Sequence, residues 1–257
     1  MSALDWTILW PACAAGLLIT ATHVPLGMQV LDRGIVFIDL AIAQIAALGV
    51  VFASFVGLEP QGWAVQACAL SAALAGALAL TWSDRRWPEV QEAVIGVTFV
   101  LAASGALLLL AKNPHGGEHL RELLVGQILW VSPHTLPLVA TVYALLLAFV
   151  ATRGRKAGHA AFYLSFAVAV TISVQLVGLY LVFTTLIVPA LATRRLRRHR
   201  IKVAYALSAV GYVLGLVASS LTDLPSGPAI VWIMAALAIP VFALSGGVRR
   251  PIGPARQ

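Results

Sequence analysis

Residues 160–202 read AAFYLSFAVAVTISVQLVGLYLVFTTLIVPALATRRLRRHRIK, an apolar run from 160 to 193 that passes straight into a basic cluster. An apolar helix crosses the ~30 Å hydrocarbon core of a bilayer in ~20 residues. The run is therefore too long for one upright span and too short for two full ones. Gly178 stands near its middle and Pro189 near its end. One tilted helix would fit the length; two short segments that enter and return fit the charge pattern better.

Outward from this stretch, apolar runs of about spanning length lie at 6–30, 35–57, 61–82, 92–112, 134–152, 202–221 and 227–246. With the central pair counted as two, the chain has nine membrane segments (eight if the pair is one tilted helix). Of the 17 Lys and Arg residues, all but Lys112 and Arg121 then fall on one side, at Arg33, Arg85–Arg86, Arg153–Lys156, Arg194–Lys202 and Arg249–Arg256. The excess of Lys and Arg in cytoplasmic loops predicts an outside N-terminus and a cytoplasmic C-terminus.

Composition leads to the same class. The 257 residues are 60% hydrophobic and 11% charged, with a mean hydropathy of +0.93. Water-soluble domains are nearer 45–50% apolar and about 25% charged. The expected fold is all-α, a polytopic transmembrane helical bundle forming a single domain over 1–257, in contact with the lipid bilayer. The net charge of +7 does not indicate nucleic acid, because the cations sit in short clusters between apolar runs. Cys13 and Cys68 lie inside apolar runs, so neither a disulfide framework nor a CxxC metal site is expected. The first run has no basic residues before it and reads as a retained helix rather than a signal peptide. Abundant Ala and Gly, as in Ala67–Ala79 and Gly211–Gly215, suit close helix packing in lipid.

The chain has no GxxxxGK[ST] phosphate loop, so any ATP must be hydrolysed by another polypeptide. Leu244-Ser245-Gly246-Gly247 copies part of an ATPase signature but reads as a helix end on glycines. No HExxH motif or nucleophile–base pair suggests an enzyme, and no covalently bound cofactor is expected. Arg194, Arg195, Arg197, Arg198, His199 and Arg200 form either an anchor near anionic lipid or a docking loop for a cytoplasmic partner.

Polar residues inside a membrane are functional candidates. His23 lies late in the first helix, and Asp39 and Gln44 lie early in the second. If the two helices run antiparallel, His23 and Gln44 sit at similar depth, about 12–15 Å from the cytoplasmic end at ~1.5 Å per residue. Carboxylate with imidazole suits Zn²⁺; more oxygen-rich ligation suits Mn²⁺. Asp39 could instead cap a helix or pair with Arg33, and His23 could bond a backbone carbonyl. In the outer loop Asn113–Glu122, His115, Glu118 and His119 could capture a metal or could simply be solvated. His134 and His159 sit at helix ends and read as interfacial.

Gln175-Leu176-Val177-Gly178-Leu179-Tyr180-Leu181-Val182, continuing to Leu186-Ile187-Val188-Pro189-Ala190-Leu191-Ala192, and the turn Asp223-Leu224-Pro225-Ser226-Gly227-Pro228 carry a family resemblance. Glu92–Gly96 and Leu124–Leu129 echo it more weakly. The chain resembles the ABC-3 family of zinc and manganese permeases, which look like relatives of the vitamin B12 and siderophore permeases of type II ABC importers. The resemblance implies a permease homodimer or a pair of related permeases, two cytoplasmic ABC ATPases and an extracytoplasmic metal-binding protein, in a bacterial cytoplasmic membrane. It also implies that Arg194–Lys202 is the ATPase-coupling segment and that a divalent metal, zinc or manganese, passes transiently by alternating access at the dimer interface. The family's second helix carries Gly-Asp-Ala-x-Ser-His. Here Leu40 takes the Asp position and Gln44 the His position, while Asp39 falls one residue early, displaced by ~100° around the helix. His23 could supply the missing imidazole. The cytoplasmic stretch Arg153–His159 is shorter than is usual in the family. A permease for an iron-siderophore or cobalamin-type chelate, and a gradient-driven secondary transporter, are the rival readings.

Overall fold

The computed structural model describes residues 6–58, 62–110, 126, 128–153, 158–196 and 198–245. Among these residues there are nine α-helices and no strands. They are α1 (Trp6–Arg33), α2 (Ile38–Phe55), α3 (Trp63–Arg86), α4 (Gln91–Leu110), α5 (Leu136–Arg153), α6 (Gly158–Val177), α7 (Leu179–Ala192), α8 (Arg200–Thr222) and α9 (Ser226–Ser245). All but α7 are long and apolar enough to cross a membrane.

The helices form two packing groups joined through α6. One comprises α2, α3 and α4; the other comprises α1, α7, α8 and α9, with α5 laid against α1 and α6. The turns expected on the basic side do gather there. Arg200 meets Asp32 of α1, His159 meets Asp84 of α3, and Ser245 meets the Ala192 carbonyl. Large apolar side chains cover the outer surface, such as Leu101, Leu108 and Ile239. In water these would be an association liability; against lipid they are the expected surface. Exposed tryptophans stand near the helix ends, Trp6 and Trp63 on one side and Trp82 and Trp87 on the basic side, as an aromatic belt requires.

The long central run breaks as two segments. Gly178 has φ +82, a left-handed conformation that glycine adopts without a Cβ penalty, and α6 ends there as α7 begins. At ~1.5 Å per residue, α7 is only about 21 Å long. Lipid cannot satisfy a broken backbone, so such a helix survives only inside protein. Ten of its 14 residues are buried. Gly126 closes the break from above: a Cβ there would lie 2.1 Å from the Val177 carbonyl oxygen.

Within α1, Pro25 has no N–H to donate to the Ala21 carbonyl four residues earlier. Tyr205 of α8 replaces the lost bond, its hydroxyl donating to that oxygen at 3.0 Å. Tyr205→Phe is expected to lower stability by about 1–3 kcal/mol, because it strands a buried acceptor. Pro25→Ala in the same chain should recover most of the loss by restoring the N–H. Thermal unfolding in detergent measures both, and an unchanged midpoint for Tyr205→Phe alone would refute the replacement.

Candidate functional site

The α1–α2 turn carries the first candidates. Asp39 occupies the first turn of α2 and is fully buried, and neither carboxylate oxygen has a hydrogen-bond partner among the described residues. Its place at the N-terminal, positive end of the helix offsets part of a negative charge there. Arg33 does not pair with it. That guanidinium lies over the Phe162 ring, 4.3 Å from the centroid. The start of α2 is tied to α4 by the Phe37 N–H, which donates to Glu92 Oε1 at 3.4 Å.

Leu40 and Gln44, four residues apart, share a stripe of α2. Leu40 is half-buried, whereas Gln44 and Asp39 are both buried.

His23 is also fully buried. Its Nδ1 lies 3.1 Å from the Ile19 carbonyl, which can only accept, so Nδ1 carries the proton. The Thr22 hydroxyl stands beside it at 3.0 Å. Nε2 is then a lone-pair nitrogen, buried and without a partner among the described residues. A carbonyl that fixes the tautomer in this way is what a metal-binding imidazole uses. Yet α1 packs on α5, α6, α7 and α8, while α2 packs mainly on α3, α4 and α6. His23 and Asp39 thus belong to different helix groups. Among the described residues no three His, Cys, Asp or Glu side chains come together as a metal site.

The turn between α7 and α8 is held at both ends. The Thr193 hydroxyl donates to the Pro189 carbonyl and closes α7. Arg195 lies 4.9 Å from the Phe242 ring centroid of α9, and Arg200 pairs with Asp32 at 3.6 Å. Arg194, Arg198 and His199 remain exposed on the basic side. His199 takes a left-handed φ of 60 just before α8. Arg197 lies outside the described residues, as do His115, Glu118 and His119 of the outer loop. His134 is exposed in a short 3-10 turn, and His159 is bonded to Asp84.

A polar network on the basic side had no counterpart in the sequence reading. Gln91 Nε2 donates to the Leu80 carbonyl and to Tyr163 Oη, both at 3.0 Å, and Ser83 Oγ donates to Gln91 Oε1 at 2.7 Å. It fastens α3, α4 and α6 together. The available signal was Gln91 beside Glu92 at the head of an apolar run.

The sequence model of the ABC 3 transport family matches residues 5–158 and 156–245. Among solved structures, PsaBC from Streptococcus pneumoniae in complex with Fab is similar with a TM-score of 0.75 at 19% identity, covering 93% of this chain and 92% of that one. An inward-facing conformation described as a metal-chelate type ABC transporter is similar with a TM-score of 0.66 at 15% identity, covering 91% and 84%. At these identities the structures speak to the fold.

Proposed function

The chain belongs to the ABC 3 transport family, as a multi-pass permease of an ABC transporter, and from that premise we propose that it imports a divalent metal ion, zinc or manganese. Two permease copies form the pathway between them in a bacterial cytoplasmic membrane, with the C-terminus in the cytoplasm. Two cytoplasmic ATPases drive alternating access through the α7–α8 turn. An extracytoplasmic binding protein delivers the ion.

Asp39 is the observation that carries the metal reading. A buried carboxylate with no cation beside it is unfavourable by several kcal/mol unless it takes up a proton or a counter-charge arrives. A passing cation is such a counter-charge. Gln44 offers a neutral oxygen about 140° around α2 from Asp39, and His23 Nε2 a lone pair in the other helix group. Reaching it requires the groups to move relative to one another, as alternating access provides.

Uptake of radioactive Zn²⁺ or Mn²⁺ by proteoliposomes holding the whole complex tests the proposal. Asp39→Asn should slow ATP-driven uptake about tenfold or more, the equivalent of ~1.4 kcal/mol, without lowering the amount of folded complex. Equal uptake per complex would remove Asp39 from the path. Uptake that persists without the ATPase would point to a gradient-driven transporter. A second reading, transport of a metal chelate, is favoured by the dispersed ligands. A chelated ion arrives with its coordination already filled, and needs no cluster of three protein side chains.

A further inference from the structure

The α3–α4 turn carries a feature that the transport reading does not use. Trp82 stands four residues after Leu78, and Arg85 and Arg86 stand three and four residues after Trp82, so all four lie along one side of α3. Leu78 and Trp82 are 53% and 60% exposed, and both arginines are exposed. Trp87 folds back against Trp82 edge-on, with ring centroids 5.1 Å apart. The Trp87 backbone N–H donates to the Ser83 carbonyl at 2.7 Å, which holds that residue's backbone at the end of α3. Over about 12 Å, at ~1.5 Å per residue, the stripe passes from aliphatic to aromatic to cationic.

Neither guanidinium pairs with a described residue. Of the nearby acids, Asp84 is engaged by His159, and Glu89 is exposed in the following turn. The patch also belongs to a different packing group from the α7–α8 turn. It is carried by α3, which packs on α2, α4 and α6, whereas the α7–α8 turn is held by α1 and α9.

We propose that this stripe is a binding site for an anionic phospholipid. Acyl chain lies along Leu78, the glycerol region against the tryptophan pair, and the phosphate on Arg85 and Arg86. Apolar, aromatic and cationic layers in that order match the layers of a leaflet, and arginine forks suit phosphate oxygens. A water-borne protein partner would have no use for Leu78 and Trp82, which lie within the spanning helix. Each basic residue near an anionic surface gives roughly a fivefold preference, so two give up to about thirtyfold.

Quenching of tryptophan fluorescence tests this in the complex as purified, reconstituted with brominated phosphatidylglycerol or brominated phosphatidylcholine at equal fraction. The signal of interest is the difference between the wild type and the Trp82→Phe/Trp87→Phe variant. It should be quenched several-fold more by the anionic lipid. Arg85→Gln/Arg86→Gln should bring the ratio of the two lipids close to one, and Arg85→Lys/Arg86→Lys should keep part of the preference. Equal quenching in the wild type would overturn the site, as would a preference that survives the glutamine pair. Quenching by neither lipid would mean that another chain covers the stripe. Loss of ATPase co-purification in the glutamine pair without any lipid preference would reassign the patch to that subunit.

Discussion

Gly27→Ala is expected to abolish the well-folded permease. The residue sits where α1 crosses α7, and a Cβ built there would lie 1.9 Å from the Leu186 carbonyl oxygen and 2.8 Å from its carbon. The obstacle is backbone, so no rotamer change relieves it. Nor can α7 withdraw, since it is also packed against α9 and α8. Overfilling a well-packed core is destabilising by about 1–3 kcal/mol even where side chains can yield. Here two helix axes must separate, and a larger effect is expected. The variant should lose its monodisperse peak in detergent or unfold at a markedly lower temperature. Gly96 is the internal control, because nothing lies within 4 Å of a Cβ at that position. Gly96→Ala should be neutral or gain about 0.5–1 kcal/mol from helix propensity. If Gly27→Ala behaves like Gly96→Ala, close approach of α1 and α7 is not what holds this half together.

The second large effect is expected at the α7–α8 turn. Arg195 and Arg200 are occupied within the protomer, by Phe242 and Asp32. Arg194 and Arg198 point their charge at no described partner and stand exposed. If a cytoplasmic ATPase docks here, Arg194→Glu/Arg198→Glu turns attraction into repulsion at the contact. Like charges across an interface are unfavourable by several kcal/mol, so ATP-driven uptake should fall by at least tenfold. Insertion and thermal stability should stay as in the wild type. Co-purification of the ATPase separates the two effects, and undiminished co-purification and uptake would remove the docking role. By contrast, Arg200→Gln breaks a pair whose Asp32 side chain is 66% exposed. Exposed pairs of that kind contribute about 0–1 kcal/mol, so only a small loss of stability is expected.

Much of the fold was legible because lipid imposes a one-dimensional rule. Spanning length, the charges that close each span and the glycine at 178 can all be counted along the chain. The break at Gly178 and the gathering of the basic turns on one side follow directly from that counting. The offset of Asp39 from Leu40 and Gln44 was also readable, since helical geometry converts one residue into a rotation. The helix partners were not. His23 and Asp39 sit close in sequence on adjacent helices, which invited a shared site. In the structure the two helices belong to different packing groups, a property of shape complementarity that no periodicity encodes. Likewise, nothing local marks Arg195 and Arg200 as internally occupied, or Tyr205 as the donor that Pro25 requires. Each of these depends on a contact between helices distant in the chain.

The seclusion of α7 has a consequence for the membrane around it. Among the described helices only the eight longer ones have to match the hydrocarbon thickness, and α7 is the element between the α7–α8 turn and the Gly178 break. If that short helix shifts during transport, most of the lipid-facing perimeter stays in place, since only Tyr180 and Leu191 of α7 are exposed, and the surrounding bilayer has little need to stretch or thin. The elastic energy of the bilayer would then weigh little on such a shift.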